Sequence, residues 1–128
     1  MLAVMRMLKA SVAAGESGPL VMLSGEADLA SARELSELLT AQLAGGVERL
    51  LVDVSGLRFA DSASVRALVL AGKTLRERGG AVVLARPQPA VARVLELMGA
   101  DQLLVVQGGA AKGSGSETAQ AGRGPSQA

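Results

Sequence analysis

Strand-like and helix-like hydrophobic periods alternate along this chain, and that alternation restricts its fold more than any single residue does. MRMLKASVA (5–13) alternates loosely, as an edge or half-exposed strand does, and after the turn GESGP the segment LVMLSG (20–25) is a short apolar strand. Ser31 then opens SARELSELLTAQLAGG, where Ser31 and Glu34 have capping-box spacing and Leu35, Leu38, Leu39 and Leu43 share one helical face. Gly45-Gly46 stops that helix. ERLLVDVS (48–55) is nearly continuous in apolar residues, which predicts a strand covered on both faces. Val65, Leu68, Val69 and Gly72 recur at helical spacing up to Gly79-Gly80, and AVVLAR (81–86) is another buried strand. The third helix, in PQPAVARVLELMGA, has Pro89 near its start, Val91, Val94, Leu95 and Met98 inward, and Gly99 as its stop. QLLVV (102–106) is a last short strand.

The resulting order, β-β-α-β-α-β-α-β, predicts a single small α/β domain: a mixed, mostly parallel β-sheet with packed helices. It occupies residues 1–107. From Gly108 to Ala128 the chain is rich in Gly, Ala, Ser and Gln, and such a composition predicts a disordered tail.

Function is bounded first by what is missing. The chain has no Cys and no His, which excludes disulfides, thiolate nucleophiles, Cys/His zinc sites and Ser-His triads. No cofactor and no metal is expected. With 13 basic and 12 acidic residues the net charge is +1, so nothing in the charge balance points to nucleic acid or an anionic membrane. No apolar run is long enough to cross a bilayer. In MLAVMRMLKASVAA the charges Arg6 and Lys9 lie inside the apolar stretch rather than ahead of it, unlike a signal peptide. A cytoplasmic protein is expected.

In parallel α/β sheets functional groups gather where strands hand over to helices. Two loops qualify by content, GEADLAS (25–31) and FADSAS (59–64). In the second, Asp61-Ser62 has two readings. Both residue types are favoured helix N-caps. Equally, a phosphoserine there would meet the free N–H groups and positive end of the helix dipole, and would set about two negative charges beside Asp61. Glu26 and Asp28 read as paired acids or half a metal site, or, more in keeping with a loop Asp just before a helix, as residues serving the turn and the helix dipole. Asp53, in a buried strand, is expected at an exposed end or paired with Arg or Lys. Arg76, Glu77 and Arg78 read as a solvated helix face. AGKT (71–74) and AAKGSGS in the tail imitate a phosphate-binding loop but lack its first glycine or its strand-to-helix setting.

Residues 5–107 resemble the STAS domain of bacterial anti-sigma factor antagonists. GEADL resembles the family's Gly-Glu-Leu-Asp-hydrophobic segment, LVDVSGLRFADSAS its strand followed by Asp-Ser-Ser-Gly, and ERGGAVVLARPQPAVARVLELMGAD its Gly-Gly, strand, Pro and final helix. The resemblance implies a binding protein without catalysis. Its partner would be an anti-sigma factor that is also a serine kinase of the histidine-kinase-like ATPase type, and the ATP would belong to that partner. The kinase would modify the serine after Asp, here Ser62, releasing the antagonist, and a phosphatase would reset it. Asp28, Asp61, Ala63, Ser64 and Arg66 would form the partner-binding surface. The motif's usual Gly is here Ser64 and its second Ser or Thr is Ala63; Ser64 either narrows the partner's approach or offers a second acceptor. Arg66 replaces a small or aliphatic residue and would tune the choice of partner. Two further readings stand beside this one: a STAS scaffold in which Ser62 is only a cap, and, less favoured, a small α/β enzyme or nucleotide-binding protein. The expected state is a monomer or a weak homodimer formed through the sheet edge.

Overall fold

Residues 2–5 and 7–108 are described by a computed structural model. Along the chain it forms β1 (Leu2–Met5), β2 (Leu8–Gly15), β3 (Gly18–Ala27), α1 (Leu29–Gln42), β4 (Arg49–Ala60), α2 (Ser62–Glu77), β5 (Ala81–Ala85), α3 (Pro89–Leu97) and β6 (Val105–Gln107). Short 3₁₀ turns at Ala44–Gly46 and Ala100–Gln102 complete it. The strands make one sheet in chain order, β1-β2-β3-β4-β5-β6. The first two pairings are antiparallel and the other three parallel, so the sheet is mixed and mostly parallel as expected. The part of the expected tail from residue 109 onward lies outside the described residues. Among the described residues, no helix is long and apolar enough to cross a membrane.

Each helix joins neighbouring parallel strands, and the crossovers all step the same way across the sheet. Right-handed connections then place all three helices on one face. The burial agrees: Leu35 and Leu39 of α1, Val65, Leu68 and Leu75 of α2, and Val91 and Leu95 of α3 share one core with Val21, Leu50, Val52, Val54, Val82 and Leu84. Burying each such side chain contributes about 1.5–3 kcal/mol. The expectation that β4 is covered on both faces is corrected. Leu50, Val52 and Val54 are buried while the alternating Leu51 and Asp53 are only half-buried, because among the described residues no helix crosses to the second face. Among the strand residues whose burial is described, only those of β5, Val82 to Ala85, are buried consecutively on both faces.

Several boundaries depart from the sequence reading. β1 adds an antiparallel edge strand outside the expected first strand, pairing Leu2 with Ser11 and Met5 with Leu8. β4 runs on to Ala60 because residues 56–60 continue pairing with the end of β3 through two register shifts. Met98, expected inward, is the C-cap of α3 and is exposed. β6 starts only at Val105, because residues 100–102 first make a 3₁₀ turn that brings the next two residues onto α2. There Gly72 permits the approach: a Cβ on it would lie 2.6 Å from the Leu103 carbonyl oxygen. The AGKT segment is thus an interior turn of α2 whose glycine serves packing.

Candidate functional site

Ala27 and Ala60 are paired neighbours at the ends of β3 and β4, so the chain leaves both strands side by side and enters α1 and α2 together. The Asp61 N–H donates to the Ala27 carbonyl at 3.0 Å, tying one loop to the other. Gly25 explains the start of the first loop. Its φ of +93° suits glycine, and a Cβ there would meet the Met7 carbonyl oxygen at 2.2 Å. The following Glu26 N–H donates to that same oxygen at 3.0 Å.

Each helix begins with an aspartate. Asp28, not Ser31, caps α1: its carboxylate accepts from the Ser31 N–H at 3.2 Å, and its own N–H donates to the Ser31 hydroxyl at 3.2 Å. The capping box is therefore Asp28/Ser31, three residues upstream of the expected Ser31/Glu34 pair. The signal was ambiguous because Asp and Ser are about equally good caps. Asp61 caps α2 by accepting from the Ser64 N–H at 2.8 Å. Ser62, read as capping the helix, is instead its first residue. It is exposed, and its hydroxyl makes no hydrogen bond among the described residues.

Ser64 behaves in the opposite way. Its side chain is fully buried and donates to the Asp28 carbonyl at 3.4 Å, so it points between the two helix starts and away from solvent. It neither offers a second acceptor nor intrudes on an approaching surface. Ala63 is half-buried, and Arg66, one turn beyond Ser62, is exposed with no ion pair or hydrogen bond among the described residues. The structure thus brings Asp28, Asp61, Ser62, Ala63 and Arg66 to one edge, with Ser64 as the clamp beneath them.

Two residues at this edge escaped the sequence reading. Leu29, the first residue of α1, is 75% exposed, and Phe59, the only aromatic residue of the chain, is 47% exposed at the start of the FADSAS segment. Their signal was available: each is a bulky apolar residue within an otherwise polar or small-residue segment, outside the periodic positions that the core claims. Beside them Glu26 pairs with Arg58 at 3.5 Å, so it serves neither the turn nor an acidic site with Asp28.

The remaining charged candidates lie elsewhere. Asp53 forms an ion pair with Arg86, as its burial demanded. Burial alone would push its carboxyl up, but bonds from the backbone and side chain of Ser55, together with the Arg86 guanidinium, hold it below the usual aspartate range. Seven residues of β4 separate it from the loop at Asp61. Arg76 and Arg78 are exposed yet engaged. Arg76 donates to the Gln102 carbonyl at 2.6 Å, and Arg78 to the carbonyls of Leu43 and Val47 at 2.7 and 2.8 Å. They fasten α2 to neighbouring turns instead of forming only a solvated face.

Known proteins are similar to this chain in sequence and fold. The family model described as "Mlab, STAS domain" matches residues 10–106. BtrV of Bordetella bronchiseptica, assigned as an anti-sigma factor antagonist, is 35% identical over 77 residues, spanning 60% of this chain and 66% of that protein, just under two thirds. An anti-sigma factor antagonist from Mycobacterium paratuberculosis superposes with a TM-score of 0.70 at 25% identity, covering 78% of this chain and 85% of that one. The unphosphorylated form of the anti-sigma factor antagonist SpoIIAA, from Bacillus, shares the fold with a TM-score of 0.65 at 21% identity, covering 76% of this chain and 86% of its own.

Proposed function

The chain belongs to the STAS domain family, and from that premise we propose that it is an anti-sigma factor antagonist switched by phosphorylation of Ser62. The observation that carries this reading is the division of labour at the start of α2. Asp61 does the capping, and the neighbouring Ser62 hydroxyl is exposed and unengaged. A cap serine would have its oxygen occupied by the helix; this one is free to be modified without unfolding the turn. The same observation weighs against the scaffold reading, in which Ser62 is only a cap.

The unmodified edge binds an anti-sigma factor and so frees its sigma factor. Leu29 and Phe59 supply apolar anchors, and Asp28, Asp61, Ala63 and Arg66 the polar surround, an arrangement suited to a few dominant contacts within a polar rim. The partner is a serine kinase of the histidine-kinase-like ATPase type. The Ser62 oxygen bonds to the γ-phosphorus of the partner's ATP, the bond to ADP breaks, and the hydroxyl proton passes to a base on the kinase. Phosphoserine then carries about −1.5 to −2 charges next to Asp61. Crowding and repulsion at that point release the partner, and a phosphatase restores the hydroxyl. SpoIIAA is known in a phosphorylated form as well as an unphosphorylated one, which supports the reading by analogy of fold. The switch acts in the cytoplasm and resides in residues 1–107, with 108–128 as an attached tail.

The test is a pull-down from native lysate with purified wild type and Ser62→Asp, bound proteins being identified by mass spectrometry. A kinase-like ATPase retained by wild type and lost from Ser62→Asp supports the switch. Equal retention by both overturns it and leaves a phosphorylation-independent binding module.

A further inference from the structure

Arg66 is unused by the fold. It is exposed on α2, four residues after Ser62, and neither side chain has a partner among the described residues. On a helix, residues i and i+4 stand one above the other with Cβ atoms about 5–6 Å apart. Helical side chains also lean toward the N-terminus, so the Arg66 stem leans back over the turn that begins with Ser62. We propose that Arg66 is the internal ligand of the Ser62 phosphate: once Ser62 is modified, the guanidinium closes on the phosphoryl oxygens across one helical turn. The proposal rests on Ser62 being the acceptor.

The chemistry suits the pair. A guanidinium presents a planar fork of N–H donors that matches two phosphate oxygens, and it stays charged at any pH the protein meets. The acids around this turn are occupied and would repel the phosphate: Asp61 accepts from Ser64, and Asp28 from Ser31. Cations on neighbouring elements are committed elsewhere, Arg58 to Glu26 at 3.5 Å and Arg33 to Glu37 at 3.4 Å. Arg66 is left as the free cation within reach of Ser62 on α2.

One modification then changes the edge twice. It adds a phosphate whose net charge is roughly halved by the guanidinium. It also withdraws Arg66 from the exposed stripe it shares with Leu70, which is 54% exposed. A partner that reads a free cation beside that leucine loses the cation at the moment the phosphate arrives. The clamp also holds the phosphate along the helix, so it is presented in one orientation.

The experiment uses the full chain with phosphoserine installed at position 62 by genetic encoding, and follows the phosphate by ³¹P NMR as pH is varied. Wild type is compared with Arg66→Gln and Arg66→Lys; Arg66 is exposed, so neither change disturbs the core. The phosphate of wild type is expected to lose its second proton about half a pH unit lower than that of Arg66→Gln, with Arg66→Lys between them, a gap that closes in about 1 M salt. Coincident titrations of wild type and Arg66→Gln, or a higher midpoint in wild type, overturn the clamp. Because no kinase is involved, that failure leaves Ser62 standing as acceptor. Conversely, a protein that no kinase modifies at Ser62 would refute the switch while leaving the measured clamp intact.

Discussion

Removing the Asp61 carboxylate and removing the Ser62 hydroxyl should have very different costs, although the two residues are adjacent and both are good caps by type. Asp61→Ala deletes the acceptor of the 2.8 Å bond from the Ser64 N–H. Loss of an N-cap costs typically about 1 kcal/mol. Loss of a negative charge at the positive end of the helix dipole adds roughly 0.3–1 kcal/mol. The sum is about 1–2 kcal/mol, which in a domain of this size lowers Tm by roughly 5–10 °C. Ser62→Ala removes an exposed hydroxyl with no described partner and should stay within about 0.5 kcal/mol of wild type. The chain has no Trp or Tyr, so unfolding in urea is best followed by far-UV circular dichroism. The midpoint for Asp61→Ala should fall by roughly half to one molar and that for Ser62→Ala should not move. A loss in Ser62→Ala equal to that in Asp61→Ala would make Ser62 the cap and remove the basis for a free acceptor.

Three other outcomes follow from the same geometry. Ser64→Ala should cost about 1 kcal/mol through the lost bond to the Asp28 carbonyl, whereas Ser64→Asp, which sets a carboxylate in a site without exposed surface, should cost several and leave little folded protein in a thermal melt. Asp53 titrates below the usual aspartate range, so its pairing stabilises the fold above about pH 4 and that contribution disappears as pH falls further; urea midpoints taken from about pH 6 down to pH 3 should drop less steeply in Asp53→Asn than in wild type. Leu29→Ala should melt like wild type and Phe59→Ala, which removes a ring about half covered by the fold, about 1 kcal/mol less stably, while each should lose about tenfold or more in affinity for the captured partner, measured by titration calorimetry.

Much of this architecture was legible because the dominant signal was periodic. Leu35, Leu38, Leu39 and Leu43 were placed on the buried side of the first helix, and all four are buried. Of the two places expected for Asp53, an exposed strand end or a pairing with Arg or Lys, the second holds: Arg86 pairs with it. The failures lie where periodicity carries no information. Two equivalent caps, Asp28 and Ser31, stood three residues apart, and only backbone geometry chooses between them. The continuous apolar run in β4 suggested two covered faces, yet the direction of the crossovers, a global property, puts all the described helices on one of them. At the edge, the resemblance to STAS domains brought Asp28, Asp61, Ser62, Ala63, Ser64 and Arg66 into one group. It could not sort them, because exposure depends on rotation about the start of α2. That rotation buries Ser64 and leaves Ser62 and Arg66 outside.

Phosphoryl transfer to Ser62 is measured by incubating the full chain with the ATPase captured from native lysate and Mg-ATP, then mapping the product by mass spectrometry. Wild type should gain one phosphoryl group on Ser62, and Ser62→Ala should gain none although Ser64 remains. Transfer to Ser64 or another residue, or a wild type that binds the ATPase yet stays unmodified, would contradict it.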